Sequence, residues 1–232
     1  MGIEFGLLIV GSYLLGSVPT AYLAARWSRG MDIRQYGDGN VGATNLMRLT
    51  SKRIAIPVVI FDLGKGALMI WIAQLLGLGI PQQVMVGLAA IIGHNWPVFL
   101  RFNGGRGIFT SLGVISILAP WLGLIVLVIA YGLAPFHQLA VGVFLGLVFA
   151  PTSAWFLSQT LEVIDKLPIA LGFLAIFLIA VVRRLTAPRT IFTSSVPSGQ
   201  LLVNRLLFDR DIRNRETWIN QKQSQPEKQG ED

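Results

Sequence analysis

Apolar runs near bilayer-spanning length, separated by polar segments, constrain this chain more than any other feature. The runs fall at about 3–25, 54–78, 84–100, 108–158 and 167–182. A helix crosses the hydrocarbon layer with about 20 residues. Over the whole chain 53% of residues are hydrophobic and only 13% are charged, whereas soluble domains carry roughly 25% charged residues. The pattern predicts an all-α integral membrane protein. Its first run has Glu4 where a cleaved signal peptide would be basic, and no small-residue cleavage site follows, so it is read as a retained first transmembrane helix. Gly16, Ser17 and Pro19 mark a kink in its second half.

The formal charge is +7, but the basic residues lie between the apolar runs and in the tail. That distribution serves membrane topology rather than nucleic acid. The absence of cysteine removes disulfides, thiolate metal sites and thiol nucleophiles. No metal or other cofactor is expected.

Basic loops face the cytoplasm, which places 26–53, 101–107 and the start of the tail inside. The acidic link QTLEVIDK at 159–166 then lies outside. An odd number of crossings is needed between Gly107 and that link, and three short helices with turns near Pro120, Pro135 and Pro151 satisfy it. The result is a bundle of about seven transmembrane helices with the N-terminus outside and the C-terminus cytoplasmic. Two crossings plus a re-entrant segment is the other arrangement. Residues 1–184 form the membrane domain and 185–232 a polar cytoplasmic tail whose end, QKQSQPEKQGED, has a disordered composition. No internal repeat of the kind many transporters show is evident.

Chemistry concentrates in two loops. In RQYGDGNVGATNLMR at 34–48, Gly37, Gly39 and Gly42 let backbone N–H groups converge on an anion. Asn40, Thr44 and Asn45 add neutral donors, and Arg34 and Arg48 add guanidinium groups suited to phosphate. A loop that only touched anionic headgroups would need the arginines but not the rest. The second loop, GHNWPVFLRFNGGRG at 93–107, sets Gly104, Gly105 and Gly107 around Arg106. His94 and Asn95 are read as lying near the middle of a membrane segment, either functional or hydrogen bonded within the bundle. Asp62 and Lys65, three residues apart on helix two, share a face that must point into the bundle, as a site or as a structural ion pair. His137 is expected to be structural.

Together these residues resemble the PlsY family of bacterial membrane glycerol-3-phosphate acyltransferases, which use acyl phosphate as donor. The resemblance covers about 1–183, through GSVPTAYLAAR at 16–26, DIRQYGDGNVGATNLMR at 32–48, DLGKG at 62–66 and GHNWPVFLRFNGGRGIFTSLG at 93–113. It implies a seven-helix bundle with an outside N-terminus in the plasma membrane and a cytoplasmic active site. It also implies the reaction: the hydroxyl of sn-glycerol 3-phosphate attacks acyl phosphate, giving lysophosphatidic acid and inorganic phosphate. Two phosphorylated substrates explain two anion loops, with an apolar groove for the acyl chain among the membrane lipids. The activated donor needs no covalent nucleophile; positioning, proton removal and oxyanion stabilisation suffice. Asp38, Arg48 and His94 are the expected catalytic residues. Gly37, Gly39, Asn40, Gly42, Thr44, Asn45, Asp62, Lys65, Gly104, Gly105, Arg106 and Thr110 are expected to bind substrate. The other glycerolipid acyltransferase class uses an H-x4-D pair, and neither His94 nor His137 has the aspartate.

The chain departs from the family in three places. Asp38 replaces the serine of a G-S-G-N motif, which puts a carboxylate beside a phosphate site unless it is protonated or paired. Arg106 stands where the family has lysine. A C-terminal R-H-R-x-N-I-x-R-L-L motif is altered: its histidine position falls at Arg184, and NRLLFDRD from Asn204 is similar to its ending after an insertion. These departures keep a second reading open, a homologue that binds a phosphorylated lipid precursor or acylates another acceptor.

Overall fold

The computed structural model describes residues 2–187 and 196–220, and among them every regular element is helical. The expected disorder at 221–232 lies outside the described residues. The first apolar run forms α1 (Gly2–Gly16) and α2 (Thr20–Arg29) with a break at Ser17–Pro19, where the proline lacks the N–H that would continue the ladder. The first polar loop folds into a short 3-10 turn at Ile33–Gln35 and α3 (Ala43–Leu49). Helices α4 (Lys52–Leu75) and α5 (Ile80–Asn95) follow, then a 3-10 turn at Val98–Leu100. Pro120 and Pro135 mark the breaks that divide the next stretch into α6 (Ile108–Leu118), α7 (Pro120–Gly132) and α8 (Leu139–Phe156), whereas Pro151, expected at a turn, lies inside α8. The chain continues as α9 (Lys166–Leu185), α10 (Ser198–Phe208) and α11 (Arg215–Asn220).

Among the described residues, five segments are long and apolar enough to cross a membrane: Gly2–Arg29, Lys52–Leu75, Ile80–Leu100, Leu139–Phe156 and Lys166–Leu185. Helices α6 and α7, with 11 and 13 residues, are ~16 and ~20 Å long, short of the ~30 Å hydrocarbon layer. The end of the third apolar run also differs from the sequence reading. Helix α5 ends at Asn95, so His94 and Asn95 lie at a helix terminus rather than in mid-segment. A terminus frees backbone groups and leaves room for a loop to fold back, and the second glycine loop does so here.

Close helix contacts set the frame. Helix α1 packs on α5 and α4 on α6 through reciprocal glycines: Gly16 lies on the Ala90 carbonyl and Gly93 on that of Tyr13, while Gly66 lies on the Thr110 carbonyl and Gly113 on that of Leu63. Any Cβ at these positions would collide with backbone, so the side chain that is missing permits the approach. Ile70, Ile91, Ile115, Leu122, Ile169 and Phe173 fill the central core between α4 and α9. A second cluster with Ala21, Ala25, Ile33, Leu46 and Val58 fastens α2, the first polar loop and α3 to α4. Helix α10, in the stretch read as tail, packs on α8 and α9.

Candidate active site

The α1–α2 break frees the carbonyls of Gly16 and Val18, and Lys65 reaches them from α4 with Nζ at 3.0 and 3.5 Å. The same ammonium lies 2.8 Å from Asp62 Oδ1, and both side chains are buried. Asp62 Oδ1 also accepts the Thr20 hydroxyl at 2.8 Å and stands 3.6 Å from His94 Nδ1. The expected Asp62–Lys65 pair thus faces the bundle, where it pins the kink and holds a histidine. Each charge is tolerable at this depth because the other, and the freed carbonyls, surround it.

In the first loop, Gly37 and Gly39 adopt φ of 59° and 71°, a left-handed backbone that glycine reaches without a Cβ clash. Asn45 is fully buried and its amide donates to the carbonyls of Ile33, Tyr36 and Asn40. It is the post around which the loop winds, with Gly37 against its side chain. Asp38 Oδ1 accepts the Asn40 N–H at 3.0 Å, and Oδ2 lies 3.4 Å from Arg48 Nη1. Burial pushes the Asp38 carboxyl above its ordinary range, while the Arg48 guanidinium, the Asn40 N–H and then Arg106 pull the other way. Burial likewise lowers Arg48, with Asp38 opposing. Thr44 is half-buried at the start of α3, and Asn40 Oδ1 has no hydrogen-bond partner among the described residues. Arg34, read as a phosphate cation, instead forms a bidentate pair with Asp32 and stacks on Tyr22. The Arg34 hydrogen bond holds the Asp32 carboxyl below its ordinary range.

The second loop turns back over the end of α5, the Gly105 N–H donating to the His94 carbonyl at 3.1 Å. Gly104 packs on that carbonyl and on Pro97, and Gly107, with φ 71°, on the Asn95 side chain. From α9, the buried Arg183 donates to the carbonyls of Gly105 at 2.9 Å and Gly104 at 2.6 Å, and to Asn103 Oδ1. Arg106 donates from Nη1 to the Arg183 carbonyl and pairs through Nε with Asp209. The buried Thr110 hydroxyl and both ends of the Asn95 amide have no partner among the described residues.

The loops meet at Gly105, which lies between His94 Nε2 and the Val41 carbonyl. His94 therefore shows one nitrogen to Asp62 and the other to the junction of the two glycine loops. A narrow cleft opens there, lined by Ser17, Val18, Thr20, Val41, His94 and Gly105 among others. A second, narrow cavity is almost wholly apolar, bounded by Ile108, Phe109, Leu112, Val126, Tyr131 and Val143. It begins at the first turn of α6, directly after the second glycine loop.

Sequence reading missed Thr20, Arg183 and Asp209 as members of this arrangement. Thr20 follows Pro19 at a helix start and carried a readable signal; the others depend on α9 and α10 returning to the loops. Arg184, the altered histidine position, donates to the carbonyls of Leu206 and Ala140. Arg205 answers by donating to the Leu185 carbonyl and pairing with Asp211 at 2.6 Å. Each arginine thus caps the other's helix, and the ending after the insertion is brought back to α9. His137, expected to be structural, is exposed in the α7–α8 turn with φ 60°.

A family model described as glycerol-3-phosphate acyltransferase matches residues 6–194. Glycerol-3-phosphate acyltransferase 5 of Dehalococcoides mccartyi is 48% identical over 220 residues, covering 95% of this chain and 94% of that protein. Glycerol-3-phosphate acyltransferase 4 of a second strain of that species is 48% identical over 216 residues, covering 93% of each. Among solved structures, the glycerol 3-phosphate form of PlsY, an integral membrane glycerol 3-phosphate acyltransferase, superposes with a TM-score of 0.72 at 27% identity, covering 91% of this chain and 96% of that one. Its lysophosphatidic acid form gives 0.66 at 26% identity, covering 78% and 88%.

Proposed function

The chain belongs to the glycerol-3-phosphate acyltransferase family, and from that premise we propose how its loops perform the reaction. It is an integral membrane acyltransferase of phospholipid biosynthesis that transfers an acyl group to glycerol 3-phosphate. The donor we assign is acyl phosphate, because a second glycine loop with its own guanidinium provides for a second phosphate.

Arg48 and the N–H groups of the first loop hold one phosphate; Arg106 and the second loop hold the other. The glycerol hydroxyl oxygen bonds to the acyl carbon, the acyl C–O bond to phosphorus breaks, and inorganic phosphate leaves. The hydroxyl proton passes to His94 Nε2 and from there to the departing phosphate. Asp62 orients the imidazole and balances its charge, as a carboxylate does in a base–orienter pair. Asp38 has both oxygens engaged, by Asn40 and Arg48, and its role is to position Arg48. The apolar cavity that starts at α6 takes the acyl chain. One observation carries this reading: His94 spans from the Asp62 carboxylate to the contact between the glycine loops.

We place the protein in the cell membrane with seven crossings, N-terminus outside and active site cytoplasmic. Trp121 Nε1 at the start of α7 donates to Glu162 in the acidic link, and Ala140 at the start of α8 is bonded by Arg184 near the end of α9. These bonds support α6, α7 and α8 each traversing the bundle, with α6 largely buried among its neighbours.

The test is formation of lysophosphatidic acid by purified full-length protein in lipid, with acyl phosphate or an acyl thioester as donor. Product from acyl phosphate alone is expected. Product only from the thioester would remove the acyl-phosphate assignment.

A further inference from the structure

We propose that Asp209 is an internal occupant of the Arg106 site, so that substrate phosphate binds by displacing it and thereby loosens the C-terminal segment. The inference rests on the reading that Arg106 receives a phosphate.

Asp209 closes α10 in a left-handed conformation, with φ 53°, uncommon for a residue with a Cβ though aspartate tolerates it better than most. This turn sends its carboxylate back to Arg106, 103 positions earlier in the chain, with Nε at 2.8 and 3.1 Å from the two oxygens. The neighbouring carboxylate behaves differently. Asp211 is consumed within its own segment by Arg205 and by the turn that Asn204 holds. Of the two, only Asp209 reaches a glycine loop.

A carboxylate and a phosphate oxygen compete for the same guanidinium edge. With Nε on Asp209 and Nη1 on the Arg183 carbonyl, Arg106 has little left for a bidentate phosphate contact. A dianion arriving beside a fixed carboxylate would also meet like charge at short range and low dielectric. Release of Asp209 relieves both. Asp209 then sets substrate affinity through exchange, and the α10 end, anchored on α9 by Arg205 and Arg184, stays attached while its last turn opens.

The experiment measures KM for both phosphorylated substrates in the full-length protein with Asp209→Asn, Arg106→Ala and the double variant, alongside hydrogen exchange of residues 205–213 in the wild type with and without glycerol 3-phosphate or acyl phosphate. Asp209→Asn is expected to lower KM for one substrate about three- to fivefold, with a smaller change in kcat and no effect in the Arg106→Ala background. Substrate should speed exchange in the 209 turn. A KM that rises or stays constant in Asp209→Asn, while Arg106→Ala raises it, overturns the displacement and makes Asp209 an orienting group. If Arg106→Ala leaves both KM values unchanged, the phosphate reading of Arg106 itself falls, and this proposal with it. Should Asp209→Asn fail to fold, exchange that slows or does not change in the wild type is sufficient to reject it.

Discussion

Asp62 on α4 and His94 on α5 face each other across the helix pair, Oδ1 to Nδ1 at 3.6 Å, with Thr20 and Lys65 on the same carboxylate oxygen. The distance is long for a hydrogen bond, as catalytic contacts often are before substrate binds. What the relationship fixes is direction: with Nδ1 turned to Asp62, Nε2 meets the loops.

His94→Ala is expected to lower kcat by about a hundredfold or more while glycerol 3-phosphate binding persists. Asp62→Asn should do the same and also destabilise, because it strands the Lys65 ammonium inside the bundle. Breaking such a pair costs about 3–5 kcal/mol. The double change Asp62→Asn with Lys65→Met should regain stability but not activity. Thermal unfolding and turnover measured on the same samples separate the two effects, and recovered activity in the double variant would remove Asp62 from the catalytic arrangement.

Asp38 offers a pH test. Burial raises its folded carboxyl above the ordinary value, so the folded state holds its proton more tightly than the unfolded one. Its contribution to stability is therefore present below the unfolded pKa and lost as pH rises through the folded pKa. Asp38→Asn removes the titrating group, so its Tm should gain on the wild type's as pH rises from about 4 towards neutrality. Below about 4, near the ordinary aspartate value, the difference should stop changing. A variant that loses ground to the wild type over that rise would show that the Arg48 contact outweighs burial.

The local features were legible because each is written in contiguous residues. Apolar runs gave the helices, prolines and glycines most of their breaks, and the two glycine–arginine loops stood out by composition as candidate anion sites. Even the Asp62–Lys65 pair showed itself as charge inside an apolar run. What could not be read was which partner, near or distant, would satisfy each polar group of the loops. Arg34 looked available for phosphate because its bidentate partner Asp32 sits two positions away across a turn, a geometry with no periodic signature. Asn45 looked like a ligand donor, but its amide is consumed by three carbonyls of its own loop. Arg183 and Asp209 acquire their roles only after α9 and α10 return to the second loop, a tertiary closure that local pattern does not encode.

Arg183 should behave as the splint of that loop. Arg183→Ala leaves the carbonyls of Gly104 and Gly105 without their donor and frees the loop to turn, so KM for a phosphorylated substrate should rise about tenfold or more with a smaller loss in kcat. Arg183→Lys keeps the charge but cannot fork between two carbonyls, and should fall between. Added guanidinium ion restoring part of the Arg183→Ala activity would mark a positioning role; lowered stability with unchanged KM would mark a merely structural one.

The lack of any cysteine makes the topology directly measurable. Gln35, in the first loop, and Gln159, in the acidic link, are both exposed, so single cysteines there should leave the fold intact. Seven crossings place the two on opposite sides. In intact cells an impermeant maleimide should label Gln159→Cys and spare Gln35→Cys, and in inverted vesicles the pattern should reverse. The discriminating site is Trp121→Cys at the exposed start of α7. If α6 and α7 each traverse the bundle, it labels from the outside with Gln159→Cys. If they form a re-entrant pair that returns to the cytoplasmic face without reaching the other, the external reagent spares it. The Trp121–Glu162 bond holds the start of α7 beside the acidic link, and this favours the first pattern.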